Sequence, residues 1–299
     1  MVITLKKDAS KESITTLSND LKHHGYDLIV SEGYAHTIIH ILGDTQTFDS
    51  KTLYAYDCVD TVTKIQKPYK KVEKESTKQF TPLTLNAVTY NQNNPLMIAG
   101  PCSIESEQQI MAIAKAVKNA GAQVLRGGAY KPRTSPYAFQ GLKEEGLKLL
   151  YDAAKHYALL CVSEIVSKDD LPLFERYVDI IQVGARNMQN YELLKALSKT
   201  TKSIILKRGF ANTVEEWLMS AEYLMQDGKT NIILCERGIR TFETSMRNTL
   251  DLGSVLVAKK LSHLPVIVDP SHAAGSYEYI EGLAKASIAV GADGLMIEV

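Results

Sequence analysis

The chain has 299 residues, enough for one large domain and a small one. Its 34 Lys and Arg balance 34 Asp and Glu, which argues against a general nucleic-acid or anionic-membrane surface and leaves local basic clusters to small anions. A hydrophobic content of 45% is ordinary for a globular protein, and the apolar runs are far too short to span a membrane. Four cysteines, Cys58, Cys102, Cys161 and Cys235, are widely spaced with no CxxC pair. Together with an opening Met-Val-Ile-Thr-Leu-Lys-Lys that lacks a signal-peptide layout, they fit a reducing cytoplasm.

Residues 1–67 read as a small α/β unit. Val2–Leu5 alternates like a strand, and Ser10–His23 carries Ile14, Leu17 and Leu21 at helical spacing. Asp27–Val30 and His36–Leu42 read as strands joined at Ser31–Gly33. Phe48–Tyr56 reads as a short helix and Val59–Ile65 as a last strand. The order βαββαβ is the ferredoxin-like pattern. Pro68–Phe80 is rich in Lys, Glu and Ser without apolar periodicity, a linker composition, and Thr81–Tyr90 fits a short hairpin. The expected division is therefore 1–67, a linker with hairpin over 68–95, and a larger domain over 96–299.

From Leu96 onward short apolar strands alternate with amphipathic helices. The expected strands are Leu96–Ala99, Gln123–Leu125, Leu159–Ser163, Asp179–Val183, Ser203–Leu206, Asn231–Cys235, Pro265–Val268 and Gly294–Ile297. Ser106–Ala120 and Thr213–Gln226 each open with a capping-box pattern, Ser106 with Gln109 and Thr213 with Glu216. Leu142–Tyr157 and Tyr277–Val290 are further helices. Eight strands with intervening helices predict a (β/α)8 barrel. The alternative is an open doubly wound sheet, but its glycine-rich first turn is absent, since Gly100-Pro-Cys-Ser stands there.

Barrels of this kind carry their working residues at the C-terminal ends of the strands. Those ends hold Cys102, Arg126, Glu164, Gln182 with Arg186, Lys207 with Arg208, Glu236 with Arg237, Asp269 with His272, and Glu298. For one such residue a solvated loop charge is the plainer reading; for eight in phase it is a poor one. Arg126, Lys131, Arg186, Lys207 and Arg237 are expected to face one cavity, which calls for an anion with more than one charged group. Lys131, Arg133, Thr134 and Ser135 supply the point charge, fork and hydroxyls that hold phosphate, with Pro132 stiffening the loop. Cys102, His272 and Glu298 are soft, borderline and hard ligands for one divalent transition metal. Cys161 and Cys235 sit inside apolar strands and read as core.

Six stretches then carry a resemblance: Gly100-Pro-Cys-Ser, Leu125-Arg-Gly-Gly-Ala-Tyr-Lys-Pro-Arg-Thr-Ser, Gln182-Val-Gly-Ala-Arg-Asn, Leu206-Lys-Arg-Gly, Cys235-Glu-Arg-Gly and Val268-Asp-Pro-Ser-His. In order along the chain they resemble 3-deoxy-D-arabino-heptulosonate 7-phosphate (DAHP) synthase, in the branch with an N-terminal ferredoxin-like regulatory domain. The resemblance implies condensation of phosphoenolpyruvate with erythrose 4-phosphate, the entry step of the shikimate pathway. It implies phosphoenolpyruvate contacts from Arg126, Lys131, Gln182, Arg186, Lys207 and Arg237. It implies erythrose 4-phosphate contacts from Lys131, Pro132, Arg133, Thr134, Ser135 and Asp269. Cys102, His272 and Glu298 match metal ligands for one ion of the Mn, Fe, Co or Zn class. Lys131, Glu164 and His272 are the catalytic candidates, Lys131 as proton donor to the developing alkoxide and Glu164 as orienter of water.

The resemblance also implies a homotetramer and feedback by an aromatic amino acid or related product. The sibling 3-deoxy-octulosonate 8-phosphate synthase has Lys-Ala-Asn-Arg-Ser where this chain has Lys131-Pro-Arg-Thr-Ser, which favours the four-carbon aldose. A non-catalytic barrel that binds a phosphorylated metabolite is the reading from another class. Family members continue past the position of Val299 with an aspartate ligand and an eighth helix, so a three-ligand metal site and an uncovered seam are expected of the chain as it stands.

Overall fold

The structure is a computed structural model and describes residues 1–33, 36–42, 45, 48–63, 68–74, 80–131, 135 and 137–299. The chain divides into two units, Met1–Lys70 and Lys71–Val299.

In the first unit β1 (Val2–Leu5), α1 (Lys11–His23), β2 (Asp27–Glu32), β3 (Thr37–Leu42), a 3-10 turn over Ser50–Ala55 and β4 (Val59–Thr63) follow in order. The sheet order is β2-β3-β1-β4 and its pairs are antiparallel. This is the ferredoxin-like arrangement, with a 3-10 turn in place of the second helix. Period-2 alternation turns Ile3, Leu5, Ile39 and Ile41 to one face, where Leu17 and Leu21 of α1 and Leu53 of the 3-10 turn cover them. Ser10 starts α1 by accepting from Ser13 N at 3.2 Å.

In the second unit β5 (Leu83–Leu85) and β6 (Val88–Tyr90) form a hairpin. Then β7 (Leu96–Gly100), α2 (Glu107–Asn119), β8 (Val124–Arg126), α3 (Lys143–His156), β9 (Leu160–Ile165), α4 (Leu171–Tyr177) and β10 (Ile180–Val183) follow. After them come α5 (Tyr191–Leu197), β11 (Ser203–Lys207), α6 (Val214–Leu224), β12 (Ile232–Glu236), α7 (Leu252–Leu261), β13 (Val266–Val268), the short α8 (Pro270–Ala274), α9 (Ile280–Ala289) and β14 (Gly294–Glu298). The eight strands from β7 to β14 close into one parallel barrel, β14 pairing with β7. The open-sheet alternative is thereby excluded.

One parity rule explains how this barrel positions its site. In a strand, residues i and i+2 share a face. Leu96, Ile98, Val124, Val162, Ile180, Ile205, Ile233, Cys235, Ile267 and Met296 fill the interior, and Leu83, Leu85 and Tyr90 of the hairpin pack into the same cluster. Each fully buried aliphatic side chain there contributes ~1.5–3 kcal/mol. Two residues further along the strands, the same inward parity falls on Arg126, Glu164, Gln182, Lys207, Arg237, Asp269 and Glu298. The interior is thus apolar from the hairpin upward and polar at the C-terminal mouth.

The outer layer obeys local signals. Thr213 and Glu216 make a reciprocal capping box at α6, and Trp217 is fully buried with Nε1 donating to Leu206 O at 3.1 Å. The box expected at Ser106 is only half formed. Ser106 Oγ caps Gln109 N, but the Gln109 side chain turns back to Glu105 N and Ser103 O. Lys71–Lys74, within the stretch read as linker, is bonded along the second unit: Lys71 N and Val72 N donate to Glu222, and Lys74 N to Leu261 O.

Candidate active site

The mouth of the barrel holds a cavity of about 400 Å³ lined by Cys102, Lys131, Glu164, Arg186, Lys207, Phe210, Arg237, Arg240, Arg247, Asn248, His272 and Glu298, with Ala185. Lys131 arrives on the loop between β8 and α3, whose base is closed by Lys131 N to Gln140 O and Lys143 N to Ala129 O, both 2.9 Å. Its Nζ donates to Cys102 O at 2.8 Å and lies 3.2 Å from Cys102 Sγ. Gly128 makes that curl possible, since a Cβ there would stand 2.7 Å from Cys102 O and 2.9 Å from Lys131 Cδ. Likewise a Cβ on Gly184 would fall 1.9 Å from Glu164 Oε1, so the glycine leaves room for the carboxylate.

Three of the expected residues lie behind this lining. Arg126, 6% exposed, donates from Nη1 to Glu298 Oε2 at 2.9 Å. Gln182 donates to Glu164 Oε2 at 3.2 Å and so fixes the carboxylate's orientation. Asp269 is fully buried, paired with Lys207 Nζ at 2.5 Å, and caps α8 by accepting from His272 N at 2.9 Å. With its oxygens so engaged, Asp269 orients Lys207 and His272 rather than facing the cavity. Ser135 is exposed and outside the lining, accepting from Tyr137 N at 3.3 Å. Pro132, Arg133 and Thr134 lie outside the described residues.

Parity also separates Arg208 and Glu236 from the site. Cys235 faces the barrel interior, so Glu236 faces the helices. There its carboxylate, 0% exposed, accepts from Arg208 Nη1 at 3.0 Å, Ser254 Oγ at 3.1 Å and Gly238 N at 2.7 Å. Arg208 also meets Asp251 at 2.8 Å. This network braces the backbone between Lys207 and Arg237 from behind.

Among the described residues, Arg186, Arg237, Arg240 and Arg247 pair with no carboxylate. Arg237 is 5% exposed, and among the described residues its side chain donates to the carbonyls of Gly238 at 3.2 Å and His272 at 3.1 Å. Burial lowers its pKa, which states the same cost in protonation terms. A buried guanidinium without a counter-anion is expensive, and a bound anion removes that expense. Reading only strand ends missed Arg240, Arg247, Asn248 and Phe210. The signal for the two arginines was present as basic residues repeated along the one loop that follows β12.

A divalent transition ion would need several His, Cys, Asp or Glu side chains around one point. Among the described residues no preassembled group of three His, Cys, Asp and Glu side chains is present. Cys102, His272 and Glu298 nonetheless line the same cavity, and His272 Nε2 lies 3.4 Å from Glu298 Oε2. His272 Nδ1 is buried 2.7 Å from Asp269 Oδ2, an electrostatic approach without hydrogen-bond alignment. The pull of Asp269 raises the His272 pKa, but Lys207, burial and Arg126 outweigh it, and the net shift is downward. A neutral imidazole backed by a carboxylate is the form that ligates metal. Burial raises the Glu298 pKa, yet Arg126 and His272 hold it below the usual range, and Asp269 is held well below it by Lys207 and His272 against the burial cost. The chemistry of the donors fits one divalent transition ion; Glu298 also accepts from Arg126, and Cys102 lies beside Lys131.

A parallel barrel whose mouth is lined by guanidiniums without carboxylate partners among the described residues is suited to a phosphorylated metabolite. The comparisons with known proteins narrow that reading. The model of the DAHP synthetase I family matches residues 63–299, and that of the DAHP synthase ferredoxin-like domain matches residues 1–67. This chain belongs to the DAHP synthetase I family. It is 45% identical over 299 residues to the phospho-2-dehydro-3-deoxyheptonate aldolase of Thermotoga maritima, covering 100% of this chain and 88% of that one. The crystal structure of that DAHP synthase superposes with a TM-score of 0.86 over 99% of this chain and 87% of its own, at 45% identity. A 2-dehydro-3-deoxyphosphooctonate aldolase of Agrobacterium fabrum is more distant, 30% identical over 68% of this chain and 77% of its own.

Proposed function

We propose that the barrel condenses phosphoenolpyruvate with erythrose 4-phosphate and water to give DAHP and inorganic phosphate, the first committed step toward aromatic amino acids. The observation that carries this is the ring of guanidiniums around one cavity, without carboxylate partners among the described residues, in a chain of the DAHP synthetase I family. The positive lining suits a substrate bearing both carboxylate and phosphate.

Each residue then has a task. Arg186, Lys207 and Arg237 hold the phosphoenolpyruvate carboxylate and phosphate, and Arg126 supports them from beneath through Glu298. Lys131 reaches both substrates. When the enol carbon attacks the aldehyde, a carbon–carbon bond forms and the aldehyde oxygen becomes an alkoxide, to which Lys131 Nζ gives a proton. Water adds at the carbon left electron-poor, and the phosphate then departs with its bridging oxygen. Glu164, aimed by Gln182, orients that water. Pro132, Arg133, Thr134 and Ser135 are assigned to the erythrose 4-phosphate end on motif alone. Family membership implies a divalent metal, which Cys102, His272 and Glu298 would hold and which would supply Lewis acidity toward the aldehyde. Asp269 keeps the His272 ring directed at the cavity.

The resemblance carries three further readings: a homotetramer, control by an aromatic amino acid through residues 1–67, and residence in the cytoplasm. No helix among the described residues is long and apolar enough to cross a membrane. Phosphate release measured with four-carbon and five-carbon aldose phosphates, with and without chelator, tests the reading. It predicts release with erythrose 4-phosphate that chelator abolishes. Preference for the five-carbon aldose would instead make the chain an octulosonate 8-phosphate synthase, and no release with either would leave a binding barrel.

A further inference from the structure

Phe210 supplies the one phenyl ring among the described residues that line the cavity. It stands on the loop after β11, between the loops that follow β10 and β12. Its ring centroid lies 5.6 Å from Arg186 Cζ, 4.7 Å from Arg237 Cζ and 4.9 Å from Arg240 Cζ. Arg186 comes from the loop after β10 and the other two from the loop after β12. The backbone fastens the arrangement, since Arg240 N donates to Phe210 O at 2.7 Å.

Guanidiniums gathered this closely repel one another until an anion arrives. None has a carboxylate partner among the described residues, and the π-face of Phe210 is the electron-rich surface they share. The ring therefore does what an aliphatic side chain of similar size would not: it offsets part of the charge while separating Arg186 from Arg237. A half-buried phenyl group in an otherwise polar cavity gains little from burial alone, which makes a purely packing role a weak explanation.

We propose that Phe210 is a positioning residue that holds Arg186 and Arg237 apart and aligned before phosphoenolpyruvate binds, and that it presents Arg240 as a further binding residue for the same anion. The inference rests on the phosphoenolpyruvate reading above and deepens it. Arg240 adds charge at the rim, where an incoming anion is first met.

The test is calorimetric binding of phosphoenolpyruvate, with steady-state kinetics, on the full chain and on Phe210→Leu, Phe210→Tyr and Arg240→Ala. Loss of the ring's contacts with the three cations should weaken binding and raise KM about tenfold in Phe210→Leu, with kcat falling less. Phe210→Tyr keeps the π-face and should recover most of the affinity. Arg240→Ala should weaken binding about fivefold alone and add little in the Phe210→Leu background, because the two act as one unit. Equal effects of Leu and Tyr, or independent multiplication of the Leu and Ala effects, would overturn the positioning role. If Phe210→Leu does not fold, the exposed Arg240→Ala still decides: unchanged affinity there sinks the proposal. Wild-type protein that neither binds nor consumes phosphoenolpyruvate would take the functional reading down with it. Wild-type binding matched by Phe210→Leu would remove this inference alone.

Discussion

Arg186 and Lys207 share an assigned ligand but differ in surroundings, so their loss should differ in kind. Arg186 is exposed and has no carboxylate partner among the described residues. Arg186→Ala should lower kcat/KM for phosphoenolpyruvate by ~1.5–3 kcal/mol, roughly 10- to 150-fold, with the melting temperature unchanged. Lys207→Ala should do the same and also strand the fully buried Asp269, costing about 3–5 kcal/mol of stability in denaturant titrations. Equal stability of the two variants would contradict the assigned geometry. Cys102→Ala should keep the fold and lose bound metal by elemental analysis, and full metal content in that variant would remove Cys102 from the donor set. Much of this site was legible in the sequence because strand ends can be counted. Lys131, Arg186, Lys207, Arg237, Cys102, His272 and Glu298 all line the cavity. Parity sorted the rest: Arg208 and Glu236 also sit at strand ends but face the helices, and telling them apart requires knowing which neighbours fill the barrel. Phe210 could not be picked out because its partners come from two other loops far apart in sequence.

At the scale of elements, long periodic segments declared themselves and short ones did not. α2, α3, α6 and α9 fall on helices expected from apolar spacing and caps. α4 and α5 have 7 residues each, too few turns to establish a period, and α7 is apolar around much of its circumference. The join between α6 and β12 contains a group that composition cannot reveal. Lys229, 6% exposed, donates from Nζ to Thr200 O and Lys202 O at 2.6 Å each, tying this turn to the one before β11. Burial pushes its pKa down to about 8. Between that value and its ordinary one near 10.5 the unfolded chain holds the proton that the folded chain releases. Stability contributed at Lys229 should therefore rise with pH across this window and be smallest below it. The difference in unfolding free energy between wild type and Lys229→Met, followed from pH 7.5 to 10, should shift in favour of wild type, by the sign argued here. A pH-independent difference would mean that Lys229 titrates alike in both states.

At the scale of the whole molecule, eight apolar strands in alternation with helices were enough to specify the barrel, and the split order of the first six elements was enough for the ferredoxin-like unit. The seam between units was less legible. Lys71–Lys74 has the composition of a linker, yet Val72 is fully buried and the stretch is bonded to residues of the second unit. A chain starting at Lys71 should keep its catalytic rate within about threefold, since the assigned residues all lie beyond that point, and should lose any response to aromatic amino acids. An effector response that survives the deletion would move control into the barrel. The central claim is that one cavity joins phosphoenolpyruvate to erythrose 4-phosphate. Mixing the metal-loaded protein with both substrates and following products by mass spectrometry tests it most directly. The account predicts a seven-carbon 2-oxo acid phosphate formed in step with inorganic phosphate, and neither product when one substrate is omitted. Phosphate released from phosphoenolpyruvate alone, or no seven-carbon product with both substrates present, would contradict it.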